Sequence, residues 1–325
     1  MITVTFDGQA HSLPESEPVL DGLLRAGVDI PWSCRAGACQ SCLVQTADGS
    51  PAPDPSWTAG LKDSLKATGY LLACQCKPTA DLALRSLSLD DSTMPAVILA
   101  KTPLNDSVLG LHLRPERPFV VRPGQYVTLF GPDQVSRSYS VANLVADDGH
   151  LELHIRRIEG GRMSNWLHDV AEPGDRLALR GPAGSCFYVQ DDAQDFDMLL
   201  AGTGTGLAPL YGIVQDALKA GHRGQIHLIH GALRPGDLYL TDILRDLAAT
   251  NDNFIYTPCV LEGGGGDLVT GSLDAVTLGQ LHTPAATRAY FCGAPEMVTL
   301  LRKKAFLSGV ASRHIYCDAF LPTRA

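Results

Sequence analysis

Three cysteines fall within nine residues, in the run CRAGACQSC from Cys34 to Cys42, and two more follow at Cys74 and Cys76. Thiolates this close can clasp a zinc ion, pair as disulfides, or hold an iron–sulfur cluster. The chain has nine cysteines, an odd count that argues against a disulfide framework. The opening residues, MITVTFDGQAHSLP, alternate like a strand and lack the basic and apolar regions of a signal peptide. No apolar run reaches the ~20 residues that span a bilayer. A cytoplasmic protein is therefore expected, in which thiols stay reduced and serve as ligands or buried side chains. A formal net charge of −9 without a basic stripe disfavours a nucleic-acid partner.

The spacing Cys34-x4-Cys39-x2-Cys42 with a distant fourth cysteine is that of a 2Fe–2S centre. Two bridged irons need four thiolates, and a tight loop supplies three only if its backbone turns sharply and aims amides at the sulfurs. Gly37 permits such a turn, and the small Ala36, Ala38 and Ser41 allow close approach. A zinc site from Cys39, Cys42, Cys74 and Cys76 is the alternative. It would leave Cys34 unused and the longer spacing unexplained.

Four further stretches have chemical potential. RSYS (137–140) combines the cation Arg137 with Ser138, the flat face of Tyr139 and Ser140. HIRRIEGGRMSNWL follows, carrying His154, Arg156, Gly161, Met163 and Ser164. It reads as a strand, a glycine pair and a helix start, with Ser164 expected to cap the helix. A helix N-terminus offers free amides to an anion, and Arg137 and Arg156 suit a diphosphate. AGTGTGLAP carries Thr203, Gly204, Thr205 and Gly206 between a strand and a helix, where a doubly wound sheet presents amides to phosphate. CGAP, with Cys292, Gly293 and Pro295, again follows a strand, and YCDAF near the end holds Asp318 and Phe320. Taken singly, each has a bland reading as a satisfied polar strand end, a tight connection or a buried thiol. His112, His227 and His230 lie on expected strands and read as structural; Cys186, Cys259 and Cys317 read as buried or incidental thiols.

The elements that must position these residues fall into three groups. Residues 1–92 hold a hairpin, the helix PVLDGLLRAGV, the cysteine loop, the strand CLVQTADG and the closing GYLLACQCKP. SLSLDDSTMP reads as a linker. Residues 94–192 hold short strands separated by Pro, Gly and Asp, as in a small antiparallel barrel, with one helix expected over MSNWLHDVAEPGD. Residues 195–325 alternate strand and helix, including a helix over DLYLTDILRDLAAT, as in a doubly wound parallel sheet. GGGG at 263–266 reads as a flexible loop.

Together the motifs resemble, over the whole chain and in order, the three-domain NAD(P)H-dependent reductases of bacterial oxygenases. CRAGACQSC and LACQC resemble the cluster loop and fourth-ligand region of plant-type ferredoxins, which implies Cys34, Cys39, Cys42 and Cys74 as iron ligands, Cys74 rather than Cys76. The remaining motifs resemble those of the ferredoxin–NADP reductase superfamily. That resemblance implies Arg137 and the 161–164 turn on the FAD pyrophosphate, Tyr139 on the isoalloxazine, and Ser140 by the hydride-accepting nitrogen. It also implies the 203–206 turn on the pyridine nucleotide, with Cys292, Phe320 and Asp318 near the nicotinamide and flavin. Gln40 and Thr203 depart from the family's pattern, in which many members have Gly at both positions.

The implied fold is a β-grasp ferredoxin-like α+β domain, an antiparallel FAD barrel and an α/β doubly wound nucleotide domain. The implied function is electron transfer from NADH through FAD and a 2Fe–2S cluster to a partner, a hydroxylating oxygenase. No catalytic acid or base is expected, because the cofactors carry the chemistry. A monomer suits single-electron delivery. In HGALRPGD, Arg234 would meet the 2′-phosphate of NADPH and Asp237 a ribose hydroxyl of NADH; the resemblance favours NADH, with NADPH the other choice. The alternatives are an orphan reductase serving a quinone or small electron carrier, a self-contained monooxygenase-like enzyme, for which no further iron motif is found, and a zinc-bearing module fused to a reductase. A visible spectrum of the purified protein is expected to show flavin peaks with a broad iron–sulfur shoulder; a flavin-only spectrum with stoichiometric zinc would reject the cluster.

Overall fold

The computed structural model describes residues 1–28, 30, 35, 42–59, 61–86, 93–132, 135–190 and 195–320. Cys34, Gly37, Cys39 and Gln40 lie outside the described residues, as do residues 87–92 of the expected linker. The chain divides into two units, Met1–Leu89 and Asp90–Ala325.

In the first unit, β1 (Ile2–Phe6) and β2 (Gln9–Leu13) form the expected hairpin, with Phe6 opposite Gln9. Its loop is Asp7-Gly8, with φ of 47° and 81°. Two positive φ values make the turn whose twist matches antiparallel strands, and Asp-Gly tolerates it best. Helix α1 (Val19–Arg25) buries Val19, Leu20 and Leu23. Strands β3 (Leu43–Thr46), β4 (Tyr70–Leu72) and β5 (Leu82–Arg85) complete a sheet of order β2-β1-β5-β3-β4, with β1 and β5 parallel. A short helix α2 (Asp63–Ala67) precedes β4. The sheet and α1 enclose Val4, Phe6, Leu13, Trp57, Leu71 and Leu84 in the β-grasp arrangement.

The second unit begins with a barrel. Its strands are β6 (Met94–Pro103), β7 (Val108–Pro115), β8 (Tyr126–Phe130), β9 (Ser136–Ser140), β10 (Leu151–Arg156) and β11 (Arg176–Ala183). The order is β10-β7-β6-β11-β8-β9, and the bridge Val141–Leu153 joins the two ends into a closed barrel. Alternate strand residues such as Leu111, Leu113, Val127, Leu129, Leu151 and Leu153 fill the interior. A short helix α3 (Val145–Asp148) links β9 to β10. Helix α4 covers Arg162–Asp169 and is shorter than expected. Its N-cap is Gly161, not Ser164. Ser164 lies inside the first turn, where its Oγ accepts from the Ile158 amide at 3.2 Å and holds the preceding loop.

The second sheet of this unit is parallel throughout, with order β15-β14-β13-β12-β16-β17. Its strands are β12 (Asp197–Thr203), β13 (Ile226–Ala232), β14 (Phe254–Val260), β15 (Val269–Thr270), β16 (Thr287–Gly293) and β17 (Ile315–Ala319). The helices are α5 (Leu207–Lys219), α6 (Thr241–Thr250), α7 (Leu273–Gly279) and α8 (Pro295–Leu307). The chain builds outward from β12 through β15, then returns to lay β16 on the other side. The strand order thus reverses between β12 and β16, where such sheets open a crevice at their carboxyl ends. Helix α6 starts at Thr241 rather than within DLYL, because Tyr239 is buried against the barrel and Leu240 turns with φ of 55°. The barrel and the parallel sheet share one core, in which Val108, Cys186 and Tyr188 pack with residues of β12 and α5. Gly212 of α5 makes this possible: a Cβ there would lie 2.8 Å from Pro123 and 3.0 Å from the Ala142 backbone.

Gly22 plays the same part in the first unit, where an added Cβ would meet the Leu13 side chain at 2.5 Å. Leu13 is fully buried and has nowhere to move. Gly22→Ala is expected to destabilise this unit by about 1–2 kcal/mol in urea denaturation, because overpacking outweighs the gain in helix propensity.

Candidate functional site

In the first unit, Cys42 and Cys74 are brought together from the start of β3 and the end of β4. Both thiols are buried, and burial pushes the Cys42 thiol up to about 11, with the neighbouring Cys74 thiol adding to the rise. Thiols held this way become thiolates when a cation takes their protons' place, so they fit a metal cluster. Gln75 Nε2 donates toward Cys74 Sγ and to the Arg35 carbonyl, each at 3.3 Å, and so ties Arg35 to the end of β4. Cys76 differs from this pair. It is fully enclosed, its carbonyl accepts from the Val19 amide at 2.8 Å, and burial pushes its thiol well up. That combination suits a core side chain.

In the second unit, RSYS occupies β9. Arg137 faces Leu129 of β8 in register, and its guanidinium donates to the Ser136 carbonyl at 2.7 Å. Ser138 is exposed, with its hydroxyl 3.0 Å from that of Thr128. Tyr139 is half-buried; burial raises its phenol above the ordinary range, opposed by the charge of Arg137. The β8–β9 hairpin packs on α4: a Cβ on Gly131 would lie 2.6 Å from the Met163 sulfur. Met163 is therefore a core side chain. No side chain caps α4 at Gly161. First-turn amides left without a capping side chain, close to the strand of Arg137, suit a diphosphate. With the half-buried ring of Tyr139 they fit a flavin dinucleotide.

Ser140 points the other way along the fold. Its Oγ donates to Asp318 Oδ2 of β17 at 2.7 Å. Burial raises the Asp318 carboxyl, and the bond from Ser140 works against that rise. Asp318 lies opposite Cys292 in the β16–β17 register, and the Phe320 amide donates to the Gly293 carbonyl at 2.9 Å. Gly206 packs so closely on this turn that a Cβ would lie 2.2 Å from the Cys292 carbonyl oxygen. Gly293 has φ of 127°, which disfavours any side chain, and sits beside Thr203. Thr203, Gly204, Thr205 and Gly206 turn from β12 into α5, whose N-terminus has no side-chain cap, while Pro295 opens α8. The Cys292 thiol is turned inward, 3.7 Å from Cys186 Sγ, and burial pushes it far up.

A cavity of about 360 Å³ opens beside the glycine turn and runs along the ends of β12, β13 and β14, with Arg156, Gly204, Leu233, Asp237 and Leu261 in its wall. Arg156 thus faces the same cavity as the glycine turn. His154 does not present its ring to this space. Its nitrogens contact the Tyr239 hydroxyl at 3.0 Å and Glu152 at 3.1 Å. His230 stacks edge-on against Tyr239 and contacts the Tyr256 hydroxyl at 3.2 Å; burial pushes it down to about 3. This bridge between barrel and sheet has no sequence signature, because its members come from distant strands and belong to no motif.

The chain matches three families: the 2Fe-2S iron-sulfur cluster binding domain over residues 4–79, the oxidoreductase FAD-binding domain over 97–188 and the oxidoreductase NAD-binding domain over 199–303. It is 36% identical to the reductase component, ferredoxin–NAD(P)+, of a naphthalene 1,2-dioxygenase system from Pseudomonas putida, covering 94% of this chain and 93% of that protein. It is 30% identical to the reductase subunit of an aromatic O-demethylase from Amycolatopsis, covering 98% of each. The crystal structure of an Amycolatopsis cytochrome P450 reductase superposes with a TM-score of 0.69 at 29% identity, over 99% of each chain. The ferredoxin reductase in carbazole 1,9a-dioxygenase superposes with a TM-score of 0.64 at 26% identity, over 98% of each. A buried thiol pair, a capless helix beside RSYS and a glycine-lined crevice are the parts such an enzyme needs, and the chain belongs to the family of iron–sulfur flavoprotein ferredoxin–NAD(P)+ reductases.

Proposed function

We propose that this chain is the NADH-dependent reductase of a hydroxylating oxygenase, to which it delivers electrons singly. The observation that carries the reading is the line of contacts from Ser140 through Asp318 to Cys292 and Gly206. It joins the strand proposed to bear the flavin ring to the turns proposed to bear the nicotinamide. Bound FAD and 2Fe–2S supply the conversion of two-electron hydride donation into one-electron export. The protein's own residues bind and orient. Tyr139 offers a ring face, Arg137 and the Gly161–Ser164 turn hold a diphosphate, and Cys34, Cys39, Cys42 and Cys74 hold the irons. Thr203, Gly204, Thr205 and Gly206 receive the nucleotide's phosphates with Arg156. Cys292, Gly293 and Pro295 shape the far wall, with Phe320 beside them. Met163 serves through its amide, and His154 by fixing Tyr239.

The relatives that serve naphthalene dioxygenase and aromatic O-demethylase systems support an oxygenase as the acceptor. We infer a monomer, which suits single-electron delivery to a partner, acting in a reducing cytoplasm; the net charge of −9 disfavours a nucleic-acid partner. Among the described residues no helix is long and apolar enough to cross a membrane.

Two experiments test this reading. Cys74→Ser is expected to abolish cytochrome c reduction while sparing NADH-dependent ferricyanide reduction; survival of both would exclude Cys74 as the fourth ligand. Gly206→Ala is expected to lower kcat/KM for NADH on the order of tenfold to a hundredfold with the flavin spectrum retained, because the methyl group forces the two turns apart. An unchanged kcat/KM would place the nicotinamide elsewhere.

A further inference from the structure

Sequence alone leaves Arg234 and Asp237 pulling toward opposite coenzymes. The folded chain adds a third charge. Arg234 follows β13 by two residues, where dinucleotide-binding sheets discriminate the adenosine ribose. Its Nε lies 3.2 Å from Oε2 of Glu262, which follows β14. The two loops are held together by backbone bonds, from the Leu261 amide to the Ala232 carbonyl at 3.2 Å and from the Glu262 amide to the Leu233 carbonyl at 2.9 Å. The carboxylate is thus delivered to the guanidinium by the backbone.

The loop bearing Arg234 is itself anchored. Asp237 Oδ2 accepts from the Arg234 amide at 3.1 Å, and Asn105 Nδ2 of the barrel donates to the Asp237 carbonyl at 3.2 Å. Tyr239 is fixed by His154. Asp237, Leu233 and Leu261 line the cavity whose other end holds Arg156 and Gly204.

We propose that Glu262 sets the coenzyme preference, by neutralising Arg234 and so withholding its charge from a 2′-phosphate at this rim. The proposal rests on the reading of this cavity as the pyridine-nucleotide site. Arg234, Asp237 and Glu262 together carry one net negative charge. A 2′-phosphate brings a charge of about −2 and would have to take Arg234 from Glu262 while staying beside both carboxylates. A ribose 2′-hydroxyl is neutral and donates to a carboxylate. The pair is largely exposed, at 68% and 58%, so it matters little to stability and acts through local charge.

The test uses the full-length holoenzyme with ferricyanide as acceptor. In Glu262→Gln, the ratio of kcat/KM for NADPH to that for NADH rises roughly fivefold or more, as expected for an unpaired guanidinium meeting the phosphate at close range. Adding Arg234→Ala to Glu262→Gln returns the ratio to the wild-type value, because the gain acts through the freed guanidinium. Inhibition by 2′,5′-ADP strengthens in Glu262→Gln relative to inhibition by 5′-ADP. An unchanged ratio, a gain that survives Arg234→Ala, or a wild-type preference for NADPH overturns the proposal while leaving the cavity's assignment intact. Failure of 5′-ADP to compete with NADH in the wild type overturns the assignment of the cavity, and the proposal with it.

Discussion

The hydrogen bond from Ser140 to Asp318, 2.7 Å long, joins two sheets that are otherwise built separately. One end belongs to an antiparallel barrel strand and the other to the last strand of the parallel sheet. Ser140 is buried and Asp318 lies in a desolvated setting, so neither group finds easy replacement in water. Removing one partner of such a bond costs roughly 1–3 kcal/mol, against about 1 kcal/mol of net gain in making it. The bond thus does more for register than for stability. It sets where β9 ends relative to the turns after β12 and β16.

Close backbone approach does the rest. Gly206 against the Cys292 carbonyl, Gly293 beside Thr203 and Gly212 against Pro123 and Ala142 are three contacts that a methyl group would obstruct. Each lies where α5 or its preceding turn meets another part of the second unit. The cavity itself is lined by other glycines, Gly204, Gly231 and Gly271, so backbone forms part of its wall. Amides pointing into such a space serve phosphate without the entropy of ordering long cationic side chains.

A second tie is polar and largely buried: Glu152, His154 and Tyr239 in line, with the His230 ring edge-on to the tyrosine. Burial works to raise the Glu152 carboxyl, yet the bond and charge of His154, helped by His112 and His150, bring it below its ordinary value. The network fixes the loop that carries Arg234 and Asp237. Binding geometry at the cavity rim therefore depends on barrel residues far away in sequence.

The cysteine spacing, the strand–turn–helix settings of GTGTG and CGAP, and the change from short alternating strands to alternating strand and helix were all legible in the sequence. They are local: spacing of ligands, positive φ at glycine, and periodicity of burial are properties of neighbouring residues. Some local readings still failed. Ser164 looked like a cap, but Gly161 takes that place, and DLYL looked helical until Tyr239 was drawn into the barrel. His154 and Met163 belong to a recognisable stretch, yet their side chains serve packing and bridging. Sequence by itself determined the parts, the cofactors they resemble sites for, and their order. The meeting of Cys42 and Cys74 was implied by the resemblance; only tertiary structure decided that Ser140 meets Asp318, that His154 meets Tyr239, and that Glu262 meets Arg234. Those meetings depend on strand order and loop packing, which bring together residues that no local pattern relates.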